Sequence, residues 1–133
     1  MATTAQTATG RTAIEAAVQL YIDGSSRGDV EKLKEAFQDG AWMWGSLGGQ
    51  RVDVPIGQMF EMVAANPLGS GAAYSARITS VDQVGDAAVV RLEEDGCWGT
   101  VSFVDWFALA KVDGDWKIIN KLFAHTGGEM PAG

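Results

Sequence analysis

Acidic–glycine pairs punctuate the back half of the chain, and they constrain the fold more than any other feature. Gly85 with Asp86, Asp95 with Gly96, and Asp113 with Gly114 separate runs rich in Val, Ile and aromatic residues. Such pairs supply the turn conformations that join antiparallel strands. They delimit strands over 74–84, 87–93, 100–112 and 116–123. The result is a meander of four strands, with Asp95 and Gly96 expected to break the second.

The front half reads differently. Over 12–27, Ala13, Ala17, Leu20 and Tyr21 recur at helical spacing, joined by Ile14 and Val18. Ser25, Ser26, Arg27 and Gly28 stop that helix. Asp29 has the character of an N-cap for a second helix, with Glu31 helping the dipole. Its apolar face is Val30, Leu33, Ala36 and Phe37, and Asp39 with Gly40 is expected to end it. Two short strands follow, around Trp42 and Val52, with Gly48 and Gly49 as the turn. Pro55 suits the first turn of a third helix carrying Ile56, Met59, Phe60 and Val63 on one side, closed by Asn66 and Pro67. Helices segregated from a mostly antiparallel sheet make an α+β domain.

A chain of 133 residues, 47% of them hydrophobic, has the apolar content for one full core. The expected domain covers 12–125, with tails at 1–11 and 126–133. A formal net charge of −7 disfavours nucleic acid and anionic membranes as partners. No apolar run is long enough to span a bilayer, and the first ten residues lack the basic start and apolar stretch of a secretory signal. Cys97 is the single cysteine, which excludes an intramolecular disulfide and fits a reducing cytoplasm. With only one histidine, His125, neither a thiolate-rich nor a multi-histidine metal centre is expected. The glycines at 48, 49, 69 and 71 follow no phosphate-binding pattern, so no nucleotide or other cofactor is expected.

The ending DWFALAKVDGDWKIINKLF over 105–123 resembles the terminal hairpin of nuclear transport factor 2-like proteins, and most of all the branch labelled putative lumazine-binding. Ile78 to Val81 and Gly85 to Val89 fit that branch's preceding hairpin. The resemblance implies a cystatin-like cone: three helices packed on a strongly bent, mostly antiparallel sheet around one pocket. The fold it implies hosts isomerases, dehydratases, cyclases and non-enzymatic binders. The opening helices are also similar to those of ketosteroid isomerase, through Leu20-Tyr21-Ile22-Asp23 and Gly28-Asp29-Val30-Glu31. Tyr21 falls where that enzyme keeps its oxyanion-hole tyrosine. The isomerase's aspartate base falls on Gly45. Its protonated aspartate falls near Ala108, with Asp105 one bulge away.

Three residues are candidate catalytic groups. Tyr21 can donate to a carbonyl or developing oxyanion, or serve as a core tyrosine with its hydroxyl satisfied at the rim. Asp105 interrupts an apolar strand. Burial would raise its pKa and make it an acid or base, while a bond to backbone or to Lys121 would make it structural. His125 is placed just beyond the last strand, as a proton shuttle at the pocket mouth or a solvated surface group. Candidate ligand-binding residues are Trp42, Trp44, Phe60, Trp98, Trp106 and Lys121. Trp42 and Trp44 share one strand face, and Met43 takes the other. Cys97 has no basic neighbour in sequence and reads as inert.

These residues lead to two expectations of function. One is an enzyme of dehydratase, isomerase or cyclase type, akin to scytalone dehydratase, working by metal-free acid–base chemistry in an apolar, aromatic-lined pocket. The other is a non-catalytic binder of a flat apolar or aromatic molecule. A homodimer through the convex sheet face is expected in either case, because the strand over 100–112 offers apolar residues to both faces.

Overall fold

The computed structural model describes residues 2–129, with side chains from Gly10 onward. Part of the tail expected at 126–133, and Met1, lie outside the described residues. Helix α1 spans Ala2–Arg27, so the backbone is helical well ahead of the Thr12 start marked by apolar spacing. Its packed stripe is Ile14, Ala17, Val18, Tyr21 and Ser25, all buried, which is the 3.6-residue period. Gly28, with φ +71°, turns the chain where a side chain would meet the Val63 carbonyl at 2.8 Å.

Helix α2 is Val30–Ala36, capped by the Asp29 side chain, which accepts from the Lys32 N–H at 3.4 Å. Strand β1 is Phe37–Leu47, β2 is Gln50–Pro55, and helix α3 is Ile56–Ala65. A 3-10 turn, Leu68–Gly71, leads to β3 (Ser75–Val84), β4 (Ala87–Cys97), β5 (Val101–Val112) and β6 (Asp115–Gly127). The six strands form one sheet in the order β2-β1-β6-β5-β4-β3. Every pairing is antiparallel except β1 with β6, which is parallel. The α+β class and the three-helix, mostly antiparallel architecture are as expected.

Three boundaries differ from expectation, and each has a local cause. Phe37 belongs to β1, not to the second helix: it is extended and pairs with Ile118. Asp39 and Gly40 then fall in a register shift between Phe37 and Trp42, with Gly40 at φ +84°. Asp95 and Gly96 likewise sit in a shift between Glu94 and Cys97 and do not end β4. A bulge absorbs the same residue types as a turn. Finally β6 continues past Phe123, so His125 lies within the strand, opposite Phe103.

The helices cover one face of the sheet. Val90, Leu92, Phe107, Leu109 and Ile118 from that face are buried with Leu33, Met59 and Val63 from the helices. Among the described residues no helix is long and apolar enough to cross a membrane.

Candidate functional site

Between α1, α3 and the inner sheet face lies a cavity of about 70 Å³. Space of that order holds about two waters or a group of a few heavy atoms. Met43, Leu47 and Val52 from the first hairpin form one wall; Met59, Met62 and Val63 from α3 form another. Leu68, Trp98, Phe103 and Phe123 complete the apolar lining. Among the described residues, Tyr21, Glu94 and Lys121 bring hydroxyl, carboxyl and amine groups to it, and the Trp98 N–H is taken by the Asn66 carbonyl.

Those three groups are bonded in series. Lys121, 7% exposed, donates from Nζ to Tyr21 Oη at 2.9 Å. Tyr21 Oη donates in turn to Glu94 Oε1 at 2.9 Å. Tyr74, just before β3, donates to Glu94 Oε2 at 2.7 Å. Both Glu94 oxygens therefore accept from phenols. Burial, reinforced by the Glu94 and Asp105 carboxyls, holds the Tyr21 hydroxyl well above the usual phenol pKa. Burial and Glu94 act the same way on Tyr74. Both phenols thus remain donors at neutral pH.

Lys121 has no ion pair among the described residues. Its Nζ lies 3.5 Å from Met59 Sδ, 4.8 Å from the Tyr21 ring centroid and 5.5 Å from that of Phe123. The cation is held by a phenol oxygen, a thioether and two ring faces.

Asp105 is 1% exposed and is absent from the cavity wall. It pairs with Leu92 and Phe123 across the sheet, which makes Glu94 and Lys121 its diagonal inward neighbours. Neither of its oxygens has a donor among the described residues. Burial, then the nearby Glu94 charge, pushes its pKa well above the ordinary carboxylate value, with Lys121 opposing. Two carboxylates are acceptors only, so they bond to each other once one is protonated. Both Glu94 oxygens already accept from phenols, and the shift on Asp105 favours its neutral form. Asp105 is buried behind the cavity, and the bond to backbone or to Lys121 that would make it structural is absent among the described residues.

The other expected site residues are dispersed. His125 is half-buried and off the cavity. Its Nδ1 accepts from the Gly48 N–H at 3.2 Å, and Nε2 lies 3.0 Å from the Gly127 carbonyl. That arrangement needs the proton on Nε2 and pins the end of β6 to the first hairpin. Trp42 and Trp44 share a face as expected, but it is the outer one, and each is 43% exposed. Met43, on the opposite face, lines the cavity instead. Trp106 is directed outward, opposite Arg91 and Leu122. Phe60 packs edge-on against Phe37 at 5.6 Å, outside the lining. Trp98 and Lys121 do line the cavity; Trp98 is fixed by its Nε1 donating to the Asn66 carbonyl at 2.9 Å. Cys97 is buried, and burial raises its thiol pKa.

Glu94 and Tyr74 belong to the candidate site and were not singled out from the sequence. The signal for Glu94 was available: Ala88, Val90, Leu92 and Glu94 alternate with exposed or half-buried positions, so Glu94 continues the inward face. No group of His, Cys, Asp and Glu among the described residues could hold a metal ion.

A family model described as "Putative lumazine-binding" matches residues 9–124. The chain belongs to this family. The lumazine-binding-family chain is also 22% identical over 111 residues to the aldolase FrzH of Cladobotryum sp, across 84% of this chain and 87% of that one. An NTF2-like protein of unknown function from Shewanella baltica matches with a TM-score of 0.80 and 26% identity, over 94% of this chain and 97% of the other. A ketosteroid isomerase-like protein from Erwinia carotovora atroseptica is 20% identical, with a TM-score of 0.68 over 86% and 94% of the two chains. At that identity the likeness is one of fold. The nuclear transport factor 2-like reading of the sequence is borne out.

Proposed function

We propose that this protein is a small-molecule enzyme that moves protons next to a carbonyl group, in a reaction of isomerase, dehydratase or aldol-type cyclase character. The carrying observation is the Lys121–Tyr21–Glu94 series at the polar end of an otherwise apolar cavity. A carbonyl oxygen placed beside Lys121 would meet the N–H donors that its amine does not give to Tyr21. Tyr21 would add its hydroxyl only by turning it from Glu94 to the oxyanion. Glu94 lies in the same wall and would accept the proton from the carbon beside that carbonyl. The name of the FrzH relative, an aldolase, is compatible with such chemistry. Asp105, which the sequence suggested as acid or base, is given a supporting part: its proton lets two carboxyls share one buried site. A cytoplasmic location is proposed from the lone, buried Cys97.

A second reading is favoured by the small number of polar groups in the lining: a non-catalytic binder of a small apolar molecule. Hydrogen–deuterium exchange at the α-carbon of propanal or acetone, followed by NMR, separates the two. The enzyme reading expects exchange above buffer, falling about a hundredfold or more in Glu94→Gln. Binding of either compound, with exchange no faster than buffer, would leave the binder.

A further inference from the structure

We infer that Lys121 is a covalent amine nucleophile, forming a Schiff base with a small aldehyde or ketone that enters the cavity. This rests on the carbonyl reading above and adds to it a bond to the protein.

Lys121 is set apart from the other lysines. Lys34 and Lys111 are exposed, Lys32 and Lys117 are half-buried, and Lys121 alone is buried against the cavity. Its amine is not tied to a carboxylate. The groups that surround it, two ring faces, Met59 Sδ and Tyr21 Oη, carry no formal charge, so forming the amine breaks no ion pair among the described residues. A route for the proton is built in. Tyr21 Oη accepts from Lys121 at 2.9 Å and donates to Glu94 at 2.9 Å. Passing one proton along each bond leaves a free amine on Lys121, an intact phenol on Tyr21 and a carboxylic acid on Glu94. That is the arrangement that activates a lysine toward carbonyls: an apolar site with an adjacent base.

The step balances without any further reactant. The amine lone pair adds to the carbonyl carbon, and the C=O π pair moves to oxygen, which takes a proton. The nitrogen then expels that oxygen as water, with the proton parked on Glu94 returned through Tyr21. In sum, ammonium plus carbonyl gives iminium plus water, one positive charge on each side. The iminium draws electrons from the neighbouring C–H bond more strongly than a hydrogen-bonded carbonyl does. Glu94, again a carboxylate, is then the base beside it. Cavity size restricts the acceptor end of the ligand to a few heavy atoms, and the apolar walls keep water from the imine.

Borohydride trapping with propanal tests this. Protein is incubated with sub-stoichiometric propanal and cyanoborohydride, then peptide-mapped by mass spectrometry. The expected result is propylation at Lys121, about tenfold or more above any of Lys32, Lys34, Lys111 and Lys117. Tyr21→Phe should slow labelling at Lys121 and leave the surface lysines unchanged, an internal control for folding. Label spread over the surface lysines with Lys121 unmodified would overturn the proposal. So would α-proton exchange that survives in Lys121→Arg, since arginine can donate to a carbonyl but forms no imine under these conditions. In that outcome the acid–base reading stands and the Schiff base falls; loss of exchange together with trapping of Lys121 in the wild type supports both.

Discussion

At the scale of the residue, the informative fact is that Asp105 and Glu94 share one buried site. Asp105 keeps its proton because ionising it would place a second negative charge beside Glu94 in a dry region. The pH consequence has a definite sign. Its pKa in the folded protein is above the unfolded value of about 3.9. The folded state therefore holds more protons than the unfolded one above that pH. Its contribution to stability is full below about pH 4 and declines as pH rises toward the raised value. Asp105→Asn mimics the neutral form, so urea unfolding at a series of pH values should show a flatter profile, with stability at pH 7 unchanged or higher. Turnover should change little, because Asp105 lies off the cavity. Tyr21→Phe is the contrasting case. It strips Glu94 Oε1 of a donor and Lys121 of its acceptor, and should lower stability by about 1–3 kcal/mol. A variant as stable as the wild type by chemical denaturation would show that this series carries no structural load.

At the scale of the element, Gly45 positions the site without touching a ligand. It pairs with Phe123 across the parallel β1–β6 contact. A Cβ there would meet the Phe123 carbonyl oxygen at 2.5 Å and its ring at 2.6 Å. Gly45→Ala should therefore push Phe123 into the cavity or part the two strands, at about 1–3 kcal/mol in thermal or urea unfolding. Unaltered stability together with unaltered ligand affinity would mean that the strands yield freely. The same position shows what sequence can and cannot tell. Period-two alternation put Trp42 and Trp44 on one face and Met43 on the other, and that is how β1 is built. Alternation does not say which face is inside. Large aromatic side chains drew the inward assignment, whereas the inner side of β1 in this stretch carries Ala41, Met43 and Gly45, small or flexible residues where β1 meets β6. Bulges were the other blind spot. Asp39-Gly40 and Asp95-Gly96 have the composition of turns, and only the pairing of Phe37 with Ile118 and Cys97 with Val101 reveals continuous strands. His125 was misplaced for a related reason, since nothing in the local sequence marks where β6 ends. Tyr21 was legible because helical period and family resemblance both placed it inward, whereas Lys121 and Trp98 were named as ligand-binding candidates from residue type, without a placement. Glu94 followed the same alternation, and an unremarkable acidic run concealed it.

At the scale of the whole molecule, the helices all cover one sheet face, and the other is left to solvent within a single chain. Its two halves differ. Toward β3 and β4 it is charged: Arg91 bonds Glu93 at 2.6 Å, and Arg77 reaches Glu93 at 2.8 Å. Toward β1, β6 and β5 it is apolar: Trp44 pairs with Leu122, and Leu122 with Trp106. Trp42 and Trp44 are each 43% exposed, Leu122 44% and Val89 48%. A contiguous row of this kind is unusual on a face meant for water, and the carboxylate nearest it, Asp53 opposite Trp44, accepts from Trp42 Nε1 at 2.6 Å at its edge. The occupant we expect is a second copy of the same chain, related by a two-fold axis that lays one Trp44–Leu122–Trp106 row on the other. An isologous contact of this kind needs only one patch, because the same residues serve both copies. The charged β3–β4 half then forms the rim, where ion pairs stay hydrated. The cavity lies on the opposite face, so association would leave its walls intact. Sedimentation equilibrium at micromolar concentration should give the mass of two chains. Trp44→Glu combined with Leu122→Glu should shift it to one chain while α-proton exchange per chain is retained. A wild-type monomer under these conditions would refute the dimer. A monomeric double variant with a collapsed cavity would show instead that the outer face supports the site from behind.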